Sequence, residues 1–288
     1  MKAVTYNIRY GLGQDGRYDL ARIADAVKAA DVIALQEVDR HWQRSGCVDS
    51  PAILASHLPE HHWVYGANLD MDASFRASGG RLVNRRRQFG TMMLSRLPII
   101  SSRNHMLPKY GTLTQHSIQQ GALEAVIQTE RNGAVRIYSL HLSHLGPATR
   151  MPQVDALLDI HARSPAEGGA WCGGHPEPTA GWMEGAMPPM PAEAMLMGDF
   201  NFEWSAPEYD RIVGAPTTRF GRLHGLTGFV DAWVVGGHRE DEGATIRSGK
   251  RIDFCFVSAS IAGQIRSCRI DADALGSDHQ PLWIDFDL

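Results

Sequence analysis

The sequence predicts an α/β fold, and three observations carry that prediction. Within the first 40 residues a strand pattern, a helical pattern and a second strand pattern follow one another, the usual opening of an α/β layer. Apolar runs that end on a polar residue recur from Asn7 to His279. The chain has 288 residues, 43% hydrophobic and 21% charged, which suffices to bury a large core and is ordinary for a globular protein.

The elements follow in order. Residues 3–8 read as a strand with Ala3, Thr5 and Asn7 on one side. Leu20, Ile23, Ala24 and Val27 fall at helical spacing within 19–30. Residues 31–35 form a short apolar run that ends in Gln36-Glu37. A helix is expected at 51–58 and a strand at 64–68. Residues 70–88 contain Gly79-Gly80 and Arg76, Arg81, Arg85, Arg86 and Arg87. They read as an exposed loop, either a solvated surface run or an electropositive wall that attracts a phosphorylated substrate. A strand at 89–94 is followed by a turn at Pro98. Runs at 122–129 and 135–142 flank Arg131-Asn132-Gly133, a hairpin signal, and a helix follows at 151–163. Residues 164–193 are rich in Pro, Gly and Met and too irregular for a regular element. A loop of that length predicts a lid, packed on a single domain that spans residues 1–288. Pro207–Val213 reads as a helix, 230–235 as a helix or strand, and 251–257 and Leu282–Phe286 as strands. Arg251, Asp253 and Cys255 share one side of the first of these two.

A net charge of −4 argues against a broad basic face for duplex nucleic acid. Cys47, Cys172, Cys255 and Cys268 are widely spaced and form no metal-type pairs, the pattern of reduced thiols in a cytoplasmic protein. No charged-then-apolar leader precedes the strand that begins at Lys2. No run approaches the ~20 apolar residues that span a bilayer. Contact with a membrane surface stays open; insertion does not.

The chemistry centres on Ala194-Met195-Leu196-Met197-Gly198-Asp199-Phe200-Asn201. Side chains alternate across a strand, so Asp199 and Asn201 project to one side, and Gly198 leaves room for close approach to the backbone. A carboxylate and an amide aimed together suit work on an oxyanion or an activated water; the bland reading is a turn in which both bond their own backbone. Strand ends on one sheet edge converge on a crevice. Asn7, Glu37, His141, Asp199, Asn201, Asp253, Asp278 and His279 all end or follow such runs. This oxygen-rich set suits Mg²⁺ or Mn²⁺, and zinc fits it less well.

Six motifs carry a resemblance: Thr5-Tyr6-Asn7-Ile8, Leu35-Gln36-Glu37-Val38, Leu140-His141-Leu142, Gly198-Asp199-Phe200-Asn201, Arg251-Ile252-Asp253-Phe254 and Gly276-Ser277-Asp278-His279. In this order they resemble the motifs of the endonuclease/exonuclease/phosphatase superfamily, which includes DNase I, the exonuclease III-type AP endonucleases, neutral sphingomyelinases and inositol polyphosphate 5-phosphatases. The resemblance implies a four-layer α/β sandwich, with two mostly antiparallel sheets face to face and helices outside. It also implies Mg²⁺-dependent phosphoester hydrolysis, with Mn²⁺ or Ca²⁺ as substitutes.

On the same ground Glu37 is expected to be the principal metal ligand, helped by Asn7 and Asp278. Asp199 orients or deprotonates the attacking water, and Asn201 holds that water or a phosphate oxygen. His279 bonds the phosphate with Asp253 behind it. His141 stands where AP endonucleases have Tyr, which points to the DNase I, sphingomyelinase and phosphatase branches. Arg44, His144 and Arg150 are expected near the substrate, although Arg150 and Gln153 would also suit a structural role.

The residues by themselves also admit a surface acid at Glu37, a turn role for Asn7, an ion pair of Asp253 with Arg251, and a core role for His141. Gln119-Gln120 departs from the Arg that bacterial relatives often carry there. The acidic net charge, His141 and the expected lid favour a small or lipid-derived phosphoester. DNA or RNA is the second reading, and a non-catalytic scaffold the third.

Overall fold

The computed structural model describes residues 1–130 and 133–288. The strands are β1 (Lys2–Asn7), β2 (Val32–Arg40), β3 (His62–Asp72), β4 (Phe75–Arg76), β5 (Leu82–Val83), β6 (Arg86–Ser95), β7 (Ile99–Met106), β8 (Gly121–Gln128), β9 (Ala134–His141), β10 (Ala194–Asp199), β11 (Pro216–Thr217), β12 (Gly221–Arg222), β13 (Phe229–Asp231), β14 (Asp253–Ser258), β15 (Ile265–Ile270) and β16 (Leu282–Phe286). The helices are α1 (Leu20–Val27), α2 (Ser50–His57), α3 (Pro147–Glu167), α4 (Pro207–Val213) and α5 (Ala232–Val235).

Two six-stranded sheets form, in the orders β15-β16-β1-β2-β6-β3 and β13-β14-β10-β9-β8-β7. Each has one parallel pair, β1 with β2 and β9 with β10, among antiparallel neighbours. Alternation along the strands decides what each face buries. Ala3, Ala34 and Met93 of the first sheet meet Ile137, Met195 and Met197 of the second in an apolar seam between the sheets. Val4, Ile33 and Leu35 turn outward under Ile23 and Val27 of α1 and Leu54 of α2. Leu140, Leu196 and Phe254 turn outward under Val154 and Leu157 of α3 and Tyr209 of α4. The result is helix, sheet, sheet, helix: the expected four-layer α/β sandwich.

Packing outweighs local capping in holding the helices. Asp19 accepts the Arg22 N–H at 3.0 Å and Asp49 accepts the Ala52 N–H at 3.2 Å. A cap of this kind contributes about 1 kcal/mol, whereas burying one Leu or Ile contributes roughly 1.5–3 kcal/mol, and α1 alone buries Ile23 and Val27 completely.

Several expectations change. Residues 70–88 are not a loop but a hairpin arm, in which β3 and β6 stay paired out to Asp72 and Arg86 and β4 pairs with β5 beyond them. Polar cross-strand pairs build it, such as Arg86 Nε to Asp70 Oδ1 at 2.8 Å, so no apolar alternation announces it. The edge strand β7 has no counterpart among the expected elements. Residues 230–235 are both strand and helix, because Asp231 ends β13 and its carboxylate caps α5 through the Trp233 N–H at 3.0 Å. The β8–β9 pair is antiparallel as expected, and Arg131 and Asn132 of its turn lie outside the described residues.

Residues 164–193 do not cover the strand ends. Helix α3 takes the first four of them, and the last few return beside its C-terminal end, where Arg136 Nη2 donates to the Ala192 carbonyl at 3.1 Å and Arg103 lies 3.8 Å from the Met190 sulfur. Strand β10 then runs five residues, roughly 16 Å, before it reaches Asp199. Among the described residues no helix is long and apolar enough to cross a membrane, and the four cysteines are unpaired.

Candidate active site

Strands from both sheets end at one edge, and registry sets their last side chains opposite one another. Asn7 lies beside Gln36, and Asp199 lies between His141 and Asp253. Asn7 follows Ala3 and Thr5 on the face toward the second sheet, so it reaches across the seam. Its Nδ2 donates to Asp199 Oδ2 at 2.9 Å and to Glu37 Oε1 at 3.2 Å. Glu37 joins them because the β2–β6 register slips between Leu35 and Val38, with Glu37 in left-handed backbone at φ 58°. A non-glycine residue in that region is strained, and such strain persists where surrounding structure enforces it.

The glycine before Asp199 has a steric reason. A Cβ on Gly198 would stand 1.9 Å from the Leu140 carbonyl oxygen of the neighbouring strand. Beyond it, Asn201 turns at φ 54°. Its backbone N–H donates to Asp199 Oδ1 at 2.9 Å, while its Nδ2 lies 3.0 Å from His141 Nε2 and donates to the Leu142 carbonyl at 2.9 Å. Both oxygens of Asp199 are thus fixed by N–H donors. His141 Nε2 and His279 Nε2 flank it at 3.5 and 3.7 Å.

His279 is held from behind. Its Nδ1 donates to Asp253 Oδ2 at 2.8 Å, and Asp253 is fully buried. Burial opposes the charge on His279, but the Asp253 carboxylate and its hydrogen bond outweigh it, with Asp199 and Asp278 adding to them, and the imidazolium is pushed up to about 10. Arg251, the other candidate partner for Asp253, instead pairs with Asp231 at 2.9 Å.

Asp199, Asp253 and His279 lie close enough to surround a cation. A protonated imidazole has no lone pair to offer a metal, however, and a buried Asp253–His279 pair already balances its own charge. Glu37 is different: among the described residues it has no cationic partner, and it shares a single amide with Asp199. Two carboxylates converging on one cleft in this way fit a hard divalent cation held by oxygen atoms. Asp278 is half-exposed and pairs with Arg9 at 3.4 Å.

The cleft has a volume of about 510 Å³. Its floor is Glu37, His141, Asp199, Asn201 and His279; one wall is Trp42, Arg44, Leu69, Met71 and Phe89, and the other is His116, Ser117, Ile118, Gln120 and His144. Arg44 lies over the rings of Tyr10 at 4.3 Å and Trp42 at 4.6 Å, and Asp39 grips it through two bonds of 2.9 and 2.8 Å. His144 is kept below the ordinary imidazole range by burial, then by the neighbouring His141 and His116. Arg150 does not reach the cleft. It is buried, donating to Glu208 at 2.8 Å and to the Ser143 carbonyl at 3.3 Å, while Gln153 accepts the Ser143 N–H at 2.8 Å. The pair supports the turn that carries His144, which is a structural role. Sequence reasoning missed His116, Trp42 and Phe89; only the departure at Gln119-Gln120 pointed toward the second wall.

No curated protein matches the sequence. Among solved structures, an endonuclease/exonuclease/phosphatase from Bacteroides vulgatus superposes with a TM-score of 0.65 at 19% identity, covering 100% of this chain and 98% of that one. The human Nocturnin catalytic domain with bound sulfate anion gives 0.60 at 16%, covering 100% and 94%. A 3′ phosphatase from Neisseria bound to product DNA hairpin gives 0.56 at 17%, covering 100% of both chains. These likenesses show the fold. The profile of the Endonuclease/Exonuclease/phosphatase family matches residues 4–279, almost the whole chain, and the chain belongs to that family.

Proposed function

We propose that the protein hydrolyses a P–O bond of a small or lipid-derived phosphoester with a bound divalent cation, Mg²⁺ in the first instance. The observation that carries this reading is the setting of Asp199, whose two oxygens are each fixed by an N–H donor while two imidazoles flank them. A carboxylate so restrained can orient a water for in-line attack and take its proton, which is the positioning that such displacement needs. Glu37 would hold the cation, with Asn7 and Asp278 beside it, and the cation would neutralise the phosphate and the charge that develops on the leaving oxygen. His279, kept charged by Asp253, donates to a phosphate oxygen. His141 stands on the other side of Asp199, where it can bind the phosphate or assist the departing oxygen, and Asn201 beside it can hold a phosphate oxygen or the attacking water. Arg44 is immobilised with its guanidinium on the cleft wall, suited to a second anionic or polar group of the substrate.

Intact acid, amide and imidazole positions argue against a scaffold that lost its chemistry. A cleft of this size with an apolar wall favours a small or lipid-derived substrate over a polymer. The nuclease reading keeps one supporting observation, the arginines of the β3–β6 arm. Initial rates on phosphomonoesters, on bis-(p-nitrophenyl) phosphate, on plasmid DNA and on RNA separate the readings. Turnover of a small ester well above turnover of either polymer supports the proposal, and the reverse order transfers it to nucleic acid.

A further inference from the structure

We propose that the tip of the β3–β6 arm docks the protein on an anionic lipid surface. Residues 73–87 carry five arginines and no acidic residue, in a chain whose net charge is −4. Arg86 is paired with Asp70 and Arg87 lies 5.7 Å over the Trp42 ring of the cleft wall; Arg76, Arg81 and Arg85 have no carboxylate partner among the described residues. Phe75 and Leu82 stand exposed between them, Leu82 at 62%, and Arg85 lies 4.7 Å over the Phe75 ring. The arm is a rigid ribbon: the ladder continues past Arg86 through Ala73 N–H to the Arg85 carbonyl at 2.9 Å and Ala77 N–H to the Arg81 carbonyl at 3.0 Å. Gly79 and Gly80, at φ 91° and 79°, make the turn.

Apolar side chains ringed by unpaired cations are costly to leave in water and gain on an anionic bilayer interface, where each basic residue adds to binding. A nucleic acid track would need an extended basic face, which a chain of net charge −4 does not favour. The inference deepens the phosphoesterase reading and rests on it for the substrate. Leu69, Met71 and Phe89 of the same hairpin form the cleft wall, so a docked tip would hold that wall next to lipid and select phosphoesters carrying an apolar tail.

The test is cosedimentation of the full chain with vesicles of phosphatidylcholine alone or mixed with phosphatidylglycerol, alongside hydrolysis of soluble bis-(p-nitrophenyl) phosphate. Wild type is expected on the mixed vesicles only, and to leave them as salt is raised. Arg76→Glu with Arg81→Glu should weaken partitioning about twentyfold or more, and Phe75→Ser with Leu82→Ser should weaken it independently. Both variants should keep wild-type turnover of the soluble ester, which also reports that they fold. Failure of wild type to bind mixed vesicles, binding that neither variant alters, or tighter binding to DNA that Arg76→Glu with Arg81→Glu abolishes would each overturn the proposal. Vesicle binding without any ester hydrolysis would leave docking standing and remove the catalytic reading instead.

Discussion

Asn7 Nδ2 donates to Asp199 Oδ2 at 2.9 Å, joining the end of β1 in one sheet to the end of β10 in the other across 192 positions of sequence. The same amide bonds Glu37, so one side chain sets the distance between the two acids of the cleft. Asn7→Ala should therefore lower kcat about 100-fold with little change in KM, because a misplaced water costs rate rather than binding. Steady-state kinetics on bis-(p-nitrophenyl) phosphate check the split. A rise in KM alone would assign Asn7 to substrate binding.

Gly198 is fixed by its neighbour. Gly198→Ala would push a methyl group against the Leu140 carbonyl oxygen, and β9 and β10 must part to admit it. Urea unfolding should show a loss of about 2–4 kcal/mol, the range of forced backbone rearrangement in a core. A loss under about 0.5 kcal/mol would mean that the strands separate freely there.

Asp253 acts on the site through His279. In the native protein the His279 ring should stay protonated through pH 8, since its imidazolium is pushed up to about 10. Asp253→Asn removes the charge that keeps it so. Nitrogen chemical shifts of the ring should then move toward neutral imidazole near pH 7, and kcat should fall about 100- to 10,000-fold. An unchanged ring signal would remove Asp253 from this role.

Acid should weaken the fold at a site remote from the cleft. His161 is pushed down to about 4 by burial and then by Arg136, whose Nη2 lies 3.0 Å from its Nδ1. The folded state binds the proton more weakly than the unfolded one does, so this stability is present above pH 6.5 and is lost as pH falls toward 4. His161→Gln should flatten that part of the stability profile in urea titrations at successive pH values.

The sequence announced the layers and most of the floor of the cleft, because buried strands are apolar and their polar last residues stand out. Glu37, His141, Asp199, Asn201 and His279 all line the cleft. What it hid had polar or tertiary origins. Strand β7 lies on a sheet edge with alternate residues facing solvent. The arm is held by backbone bonds and one ion pair, Arg86 with Asp70, and is rich in arginine and glycine rather than alternating apolar residues, which gives it the pattern of a loop. His116 reaches the cleft from a segment with no period at all, so only the folded chain could place it. Arg150 has the spacing of a substrate contact, yet Glu208, 58 residues away, claims it.

The most direct test of a single cation-loaded cleft is hydrolysis of bis-(p-nitrophenyl) phosphate with Mg²⁺, after EDTA, and after Mg²⁺ is restored, for wild type, Glu37→Ala and Asp199→Ala. The expected result is a wild-type rate that EDTA abolishes and Mg²⁺ recovers, with both variants slower by about 1,000-fold. A rate that survives EDTA, or that either variant retains to within about threefold, would contradict the account.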